Sequence, residues 1–549
     1  MCPYNFRISF LVWLLLGSSL LGCGGPKGQQ SGGLVAGAEV ETHSSQPDSP
    51  GVKNVILMIG DGMGLQQVSQ AVLYRQLRQP TQSPLALETL LDSPNSGLMR
   101  TSSYGDIVTD SAAAATVMAC GMKTLNEMVG MDPNGYPCET ILEKAAKQGK
   151  ATGLVSTARL THATPAGFVA HQVFRNMENE IAEDIVEDHD VNVLLSGGIR
   201  YFIPQFQDEV KQIPMKSSQL AECRDIDPQV DGTSKRKDQK NLIASAKSKG
   251  YQFVCNREQL EKLAIRDDTK VLGLFSSSVF PMVQERNAIG TLPDLAAMTR
   301  SALDILQRDQ DGFFLMVEGG LIDYAGHDND AGTMLQETLD FDRAVAVAVD
   351  FVKKNPQTLL IVTADHETGG FGFAYGKKIS FEMALPSGLR YQKPYDFAPF
   401  TRFDYLVGQK KSFRAMLGPI EAKLYPETGK EEHSYGLEQA AKDLVQVVQA
   451  NSDFTLSEAQ AREVLERKPG KSDAEPHDFG SFYVHASVHP DMLGRVLADQ
   501  SSTVWATGTH TSTPVPVMAL GPDRYSKQVQ GFIDNTQITK IIEDAYQGR

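Results

Sequence analysis

Leu359-Leu360-Ile361-Val362-Thr363-Ala364-Asp365-His366 is an apolar, β-branched run that ends on a carboxylate and an imidazole. Unbroken hydrophobicity of this length suits a strand buried on both faces, as in a parallel sheet covered by helices; a strand with one wet face would alternate instead. Three other stretches share the pattern. Asn54-Val55-Ile56-Leu57-Met58-Ile59-Gly60-Asp61 and Phe313-Phe314-Leu315-Met316-Val317-Glu318 finish on carboxylates, and Gly153-Leu154-Val155-Ser156-Thr157 leads into His162-Ala163-Thr164. In such sheets ligands bind beyond the carboxyl ends of the strands, which is where these polar groups fall. A carboxylate buried there requires a proton, a cation or a metal.

Helical patterns over 139–148, 293–306 and 334–354 precede three of these strands, and that alternation predicts βαβ units. The expected fold is α/β: a three-layer sandwich with a central, mainly parallel sheet covered by helices on both faces. After Gly370 the pattern breaks. Residues 371–436 are rich in Gly, Pro, Lys and aromatics, 437–450 and 456–467 read as amphipathic helices, and the chain returns at 501–510. This divides the chain into a core of 53–370 and 501–549 with an insertion, 371–500.

Residues 1–22 carry Arg7, a short apolar run from Phe10 to Leu16 and then small residues, which predicts an export signal and not a membrane span. Leu20-Leu21-Gly22-Cys23 resembles a bacterial lipoprotein signal, with Cys23 the lipidated first residue; the alternative is an ordinary secretory signal in which Cys23 is incidental. Residues 23–52, rich in Gly, Ser and Gln, form a flexible tether. The 549-residue chain has a formal net charge of −15, which argues against nucleic acid as a partner and leaves local cations to attract any anionic substrate. Of six cysteines, Cys120, Cys138, Cys223 and Cys255 remain for pairing in an oxidising compartment. Cys223 with Cys255 is the expected pair, both lying in a polar excursion (216–256).

Thr109-Asp110-Ser111-Ala112 precedes an alanine-rich helical run, so Ser111 stands at or beside a helix N-terminus, where free N–H groups favour an anion. A plain N-cap is the competing reading. Asp323 and His327 are four apart, a spacing that lets both reach one ion; Asp365 and His366 are adjacent; His510 lies in Ala506-Thr507-Gly508-Thr509-His510-Thr511. Mixed imidazole and carboxylate ligands suit zinc, whereas carboxylate with hydroxyl and water suits magnesium.

Together these pieces resemble the alkaline phosphatases: Gly60-Asp61-Gly62-Met63-Gly64, Thr109-Asp110-Ser111-Ala112-Ala113, His162-Ala163-Thr164-Pro165-Ala166, Val317-Glu318-Gly319, Asp323 with His327, Thr363-Ala364-Asp365-His366 and Thr507-Gly508-Thr509-His510 run in that family's order. The resemblance implies hydrolysis of small phosphomonoesters with two Zn2+ and one Mg2+ per subunit. It makes Ser111 the nucleophile and Arg175 the clamp on the phosphoryl oxygens. Asp323, His327 and His510 would hold the first zinc; Asp61, Asp365 and His366, together with the Ser111 oxygen, the second; Asp61, Thr164 and Glu318 the magnesium.

The resemblance further implies a homodimer, while the signal pattern implies an exported protein, periplasmic or at the cell surface, tethered to the membrane only through a lipid on Cys23. His162 is expected to tune the magnesium site from just outside it, and Tyr324 to reach phosphate through water. His171 reads as a core histidine, and His433, His477, His485 and His489 as solvated or insertion residues. A sulfatase would need a Cys- or Ser-x-Pro-x-Arg motif, and Ser111-Ala112-Ala113-Ala114-Ala115 has neither Pro nor Arg. A non-catalytic binding protein on the same fold would not need the nucleophile, the arginine and every ligand type at once.

Overall fold

The computed structural model describes residues 51–205, 234–376, 378–425, 435–466 and 488–548, all within one unit spanning Ser49–Arg549. The signal, most of the tether, Cys23, Cys223, His433, His477 and His485 lie outside the described residues, and with Cys223 the expected Cys223–Cys255 pairing. Cys120 and Cys138 form a disulfide.

The strands in chain order are β1 (Asn54–Gly60), β2 (Ser96–Arg100), β3 (Ala151–Arg159), β4 (Val193–Gly197), β5 (Tyr251–Val254), β6 (Lys270–Leu274), β7 (Phe313–Gly319) and β8 (Thr358–Thr363). There follow β9 (Glu367–Thr368), β10 (Phe371–Phe373), β11 (Lys378–Ala384), β12 (Arg390–Tyr395), β13 (Thr503–Trp505), β14 (His510–Thr511), β15 (Val515–Leu520) and β16 (Gly531–Asp534). Ten of them make one sheet in the order β16-β2-β15-β8-β1-β7-β3-β4-β6-β5. Every pairing is parallel except those of β15, which runs antiparallel to both β8 and β2.

The four runs singled out in the sequence are neighbours at the centre, β8-β1-β7-β3. Their side chains are buried on both faces, which is why they read as unbroken apolar runs. Helices cover both faces of the sheet, as expected of the three-layer α/β class. The longest helix, Ala331–Lys354, lies against β1, β7 and β8, and Leu295–Leu306 packs on it and on β3.

Between Phe371 and Ser501 the chain forms the β11–β12 hairpin and helices at Arg402–Val407, Phe413–Leu424, Leu437–Asn451, Glu458–Leu465 and Val488–Ser501. Where it leaves and returns, β10 pairs antiparallel with β13, Phe371 opposite Trp505.

One buried acid in the long helix gives a pH-dependent stability. Glu337 accepts a 2.6 Å hydrogen bond from Val283 N beside the buried Arg286–Asp340 pair. Burial, then repulsion from Asp340, pushes its carboxyl from an ordinary 4.5 up to about 8. The folded state therefore holds this proton more tightly than the unfolded chain, and stability falls as pH rises through that window. Glu337→Gln keeps an acceptor for Val283 without a charge to bury. The variant should match wild type near pH 5 and be more stable near pH 9 by on the order of 3 kcal/mol. Melting curves at both pH values check this, and a difference independent of pH would contradict it.

Candidate active site and metal centres

Asp110, in extended conformation, caps the helix Ser111–Cys120 by accepting a 2.9 Å hydrogen bond from Ala113 N. The cap is thus one residue earlier than the competing reading of Ser111 supposed, and Ser111 is the first helical residue with its hydroxyl free of capping. Its Oγ is 3.0 Å from His366 Nε2. The second oxygen of Asp110 accepts from Glu127 N at 3.1 Å and from Arg175 Nη1 at 3.0 Å. One carboxylate therefore starts the helix and aims the guanidinium. Arg175 Nη2 lies 3.3 Å from His162 Nε2.

Three imidazoles converge with the same orientation. His327 Nδ1 donates to Gly508 O at 2.8 Å and His510 Nδ1 to Thr109 O at 2.9 Å. Since a carbonyl only accepts, both Nδ1 atoms carry the proton and both Nε2 atoms keep a lone pair. Those Nε2 atoms are 3.3 Å apart and 3.2 and 3.6 Å from the Asp323 carboxylate. Thr368 Oγ1 donates to Asp323 and accepts from His366 Nδ1 at 3.3 Å. That leaves His366 Nε2 toward Asp365 at 3.1 Å and Asp61 at 3.6 Å. Lone pairs facing lone pairs and carboxylate oxygens at this range need a cation between them, and a backbone carbonyl or hydroxyl behind each imidazole is the usual support of a metal ligand.

The carboxylates come from the adjacent strand ends. Gly62, at φ +73°, turns the chain after β1; a Cβ there would come within 2.7 Å of Asp323 Cα, so glycine lets the turn that carries Asp61 pass close to Asp323. Gly62 N donates to Asp365 Oδ1 at 3.1 Å. Glu318 on β7 stands opposite Ile59 of β1 and Ser156 of β3, and Ser156 Oγ donates to its Oε2. Asp61 Oδ1 and Oδ2, Glu318 Oε1, Asp365 Oδ2, Thr164 Oγ1 and His162 Nδ1 are buried, and none has a hydrogen-bond partner among the described residues. Buried polar atoms are rarely left so, and these are the atoms a metal would bind.

Burial and then the neighbouring Asp365 raise the Asp61 carboxyl well above its ordinary range, and burial lifts Glu318 to about 7. Burial and the nearby His366 drive His510 down to about 3, keeping it neutral.

The ligating atoms fall into three groups, each within 4.8 Å: Asp323, His327 and His510; Asp61, Asp365 and His366; Asp61, His162 and Glu318. Asp61 belongs to two of them. His162 stands among the candidate ligands, closer than the supporting place expected of it. The Tyr324 ring lies 6.0 Å from the His162 ring, and the Arg414 guanidinium sits over it, 5.3 Å from its centroid. One histidine departs from expectation: His171 is partly exposed in a polar cluster, not in the core; His489, within the 371–500 stretch, is fully buried, paired with Glu421 and stacked on Tyr425. Sequence reading missed Asp110 as cap and arginine partner, Ser156 and Thr368; the last follows the Asp365-His366 motif by two residues.

The alkaline phosphatase family model matches residues 52–547. Alkaline phosphatase 3 of Bacillus subtilis is 33% identical over 527 residues, 93% of this chain and 94% of its own. The crystal structure of Thermus thermophilus alkaline phosphatase superposes with a TM-score of 0.71 at 28% identity, covering 94% of this chain and 96% of that one. A structure of the TAB5 alkaline phosphatase in which a histidine is replaced by aspartate, with Mg bound in the M3 site, superposes at 0.56 with 25% identity, covering 90% and 98%. With matches across nearly its whole described length, this chain belongs to the alkaline phosphatase family and is a phosphomonoester hydrolase.

Proposed function

We propose that the enzyme works through a phosphoseryl intermediate on Ser111 and binds two Zn2+ and one Mg2+ per subunit. The observation that carries this reading is the 3.0 Å approach of Ser111 Oγ to His366, at the meeting point of three ligand clusters. Asp323, His327 and His510 would hold one zinc; Asp61, Asp365 and His366, with the Ser111 oxygen, the other; Asp61, Thr164 and Glu318, with His162 alongside, the magnesium. When bound, these cations supply positive charge to the phosphoryl oxygens and lower the pKa of hydroxyl and water.

Ser111 Oγ gives its proton to solvent and attacks phosphorus in line with the ester oxygen. The O–P bond to serine forms as the bond to the alcohol breaks, and the alcohol leaves with a proton. Water then loses a proton and attacks the phosphoserine, the Ser111 O–P bond breaks, the serine oxygen takes a proton back, and inorganic phosphate departs. Throughout, Arg175, anchored to Asp110 through Nη1, would offer its remaining N–H groups to the phosphoryl oxygens. Rapid acid quench during turnover of a simple aryl phosphate, followed by mass spectrometry, should find one phosphate on the peptide containing Ser111; its absence under burst conditions would overturn the intermediate.

His162 offers nitrogen where an aspartate would offer charge, and that favours zinc over hydrated magnesium in the third cluster. The TAB5 variant with Mg bound supports the reading. His162→Asp should need roughly 10-fold less magnesium for full activity, within the range of 10–100-fold seen when a ligand's supporting partner is changed. Identical magnesium titrations of the two proteins would contradict this.

The remaining assignments are of location and assembly. Export with a lipid on Cys23 is supported by the Leu-x-Gly-Cys pattern; among the described residues no helix is long and apolar enough to cross a membrane. A form beginning at Gly51 should keep full activity, since no candidate ligand precedes Asp61. Division into a core with an insertion over 371–500 is supported by the β10–β13 pairing at its base. A homodimer is supported by the β11–β12 hairpin, which exposes Phe381, Met383, Tyr391 and Tyr395.

A further inference from the structure

Outside the three clusters, one more set of ligand types converges. Glu143, His171 and His189 each offer an atom within 4.8 Å of the others. They come from separate elements: Glu143 from the first turn of the helix Ile141–Lys147, His171 from the loop that goes on to Arg175, and His189 from the residue ending the π-helical turn Asp184–Asp188. π-Helical turns recur at functional sites because they re-aim a side chain.

The orientation of His171 is fixed from behind. Its Nδ1 lies 2.6 Å from Gly130 O, so that nitrogen carries the proton and Nε2 points at Glu143 Oε1, 3.2 Å away. Gly130 is suited to this approach: its φ is +59°, and a Cβ there would come within 2.7 Å of His171 Nδ1. Glu143 is held as well, its second oxygen accepting from Thr140 N at 2.7 Å in a capping box. Asp184 fixes the backbone by accepting from His171 N at 3.1 Å and from Gln172 Nε2 at 2.9 Å. The His189 side chain makes no hydrogen bond among the described residues, and its ring centroid is 6.2 Å from that of His171.

We propose that Glu143, His171 and His189 form a further divalent-metal site, of the kind zinc occupies, which pins the Arg175 loop to its two neighbours. Two ligands on a tetrahedral zinc at about 2.0–2.1 Å stand about 3.3 Å apart, which is the spacing of His171 Nε2 and Glu143 Oε1. Two imidazoles and a carboxylate are a zinc donor set, and the partial exposure of all three leaves a fourth position for water. Asp184 adds negative charge beside the cluster. The competing arrangement is a plain ion pair between protonated His171 and Glu143, in which His189 has no part. The site's role follows from what the loop carries: Arg175 N donates to Glu127 O at 2.7 Å and Gln172 pairs with Val129, so a tie at His171 steadies the segment that delivers the guanidinium.

The test is zinc counting on the full chain by elemental mass spectrometry after equilibration in buffers of fixed free zinc. Wild type should hold one equivalent more than His189→Ala and His171→Gln, and that equivalent should bind at least about 100-fold more weakly in both variants, since losing a ligand costs more than the 10–100-fold of losing its outer partner. The anomalous zinc map of a wild-type crystal should place a peak among the three side chains. Both variants should still form the phosphoserine on Ser111, any change appearing as a raised KM as the Arg175 segment loosens, which separates failure here from failure of the catalytic reading. Equal zinc counts in the three proteins would leave only the ion pair and overturn the proposal, as would a map without that peak, or uptake only at millimolar zinc.

Discussion

Ser111→Ala should lower turnover of a phosphomonoester by about 10³-fold or more, equivalent to at least about 4 kcal/mol of lost transition-state stabilisation, while metal content and fold stay as in wild type. The fold is insulated because Asp110, not Ser111, caps the helix, and because alanine is the best helix former at the position that follows. Each ligand cluster keeps its three carboxylate and imidazole groups, which come from other strands and loops, and the second cluster loses only the Ser111 oxygen, so the ions should stay bound. What disappears is the nucleophile. Residual activity would come from direct attack of water on a phosphoryl group still held by Arg175, and such remnants are common when one member of a catalytic set is removed. Steady-state kinetics with metal analysis on the same sample checks both halves. Turnover within a few-fold of wild type would remove Ser111 from the mechanism.

Stripping the divalent ions with a chelator should abolish activity and lower the melting temperature together. Asp61, Glu318, Asp323 and Asp365 are almost wholly buried within one small region. A ligand present at 1,000 times its Kd stabilises the folded state by about 4 kcal/mol per site. Several sites lost at once should therefore shift the melting transition by on the order of 10 °C, recoverable on adding zinc and magnesium. Asp61→Asn should mimic part of this, weakening two clusters through one residue. Calorimetry with and without chelator reads the effect, and an unchanged melting temperature would argue that the clusters hold no ions.

The sheet's centre was legible in the sequence and its margins were not. The strands β8, β1, β7 and β3 are buried on both faces, so each appears as a continuous apolar run. By contrast β2 reads Ser-Gly-Leu-Met-Arg and β16 Gly-Phe-Ile-Asp, short segments with exposed residues and no clear period. The site divides in the same way. Asp61, Glu318, Asp365 and His366 announce themselves as polar residues ending apolar runs, and Ser111 as the start of an alanine helix. The groups that aim them are less visible, because the carbonyls of Gly508 and Thr109, which orient His327 and His510, have no side-chain signature. Ser156 and Thr368 carry no signal of their own in the sequence, and only the fold brings their hydroxyls to Glu318 and Asp323. The Cys120–Cys138 bridge was one of several pairings that spacing alone left open.

The position of β2 between β15 and β16 dictates the order in which this chain can assemble. Both of its partners come from the C-terminal end, so an early segment stays without a sheet neighbour until the last one has emerged. His510 reaches back 401 residues to Thr109 for the hydrogen bond that orients it. Closing such long loops costs entropy before any contact rewards it, which makes folding slow and late. A nascent chain with this topology cannot lock shut until its final strands are available to pair. Truncation just before Val515 should accordingly leave a chain that never closes its sheet, rather than a weakened enzyme.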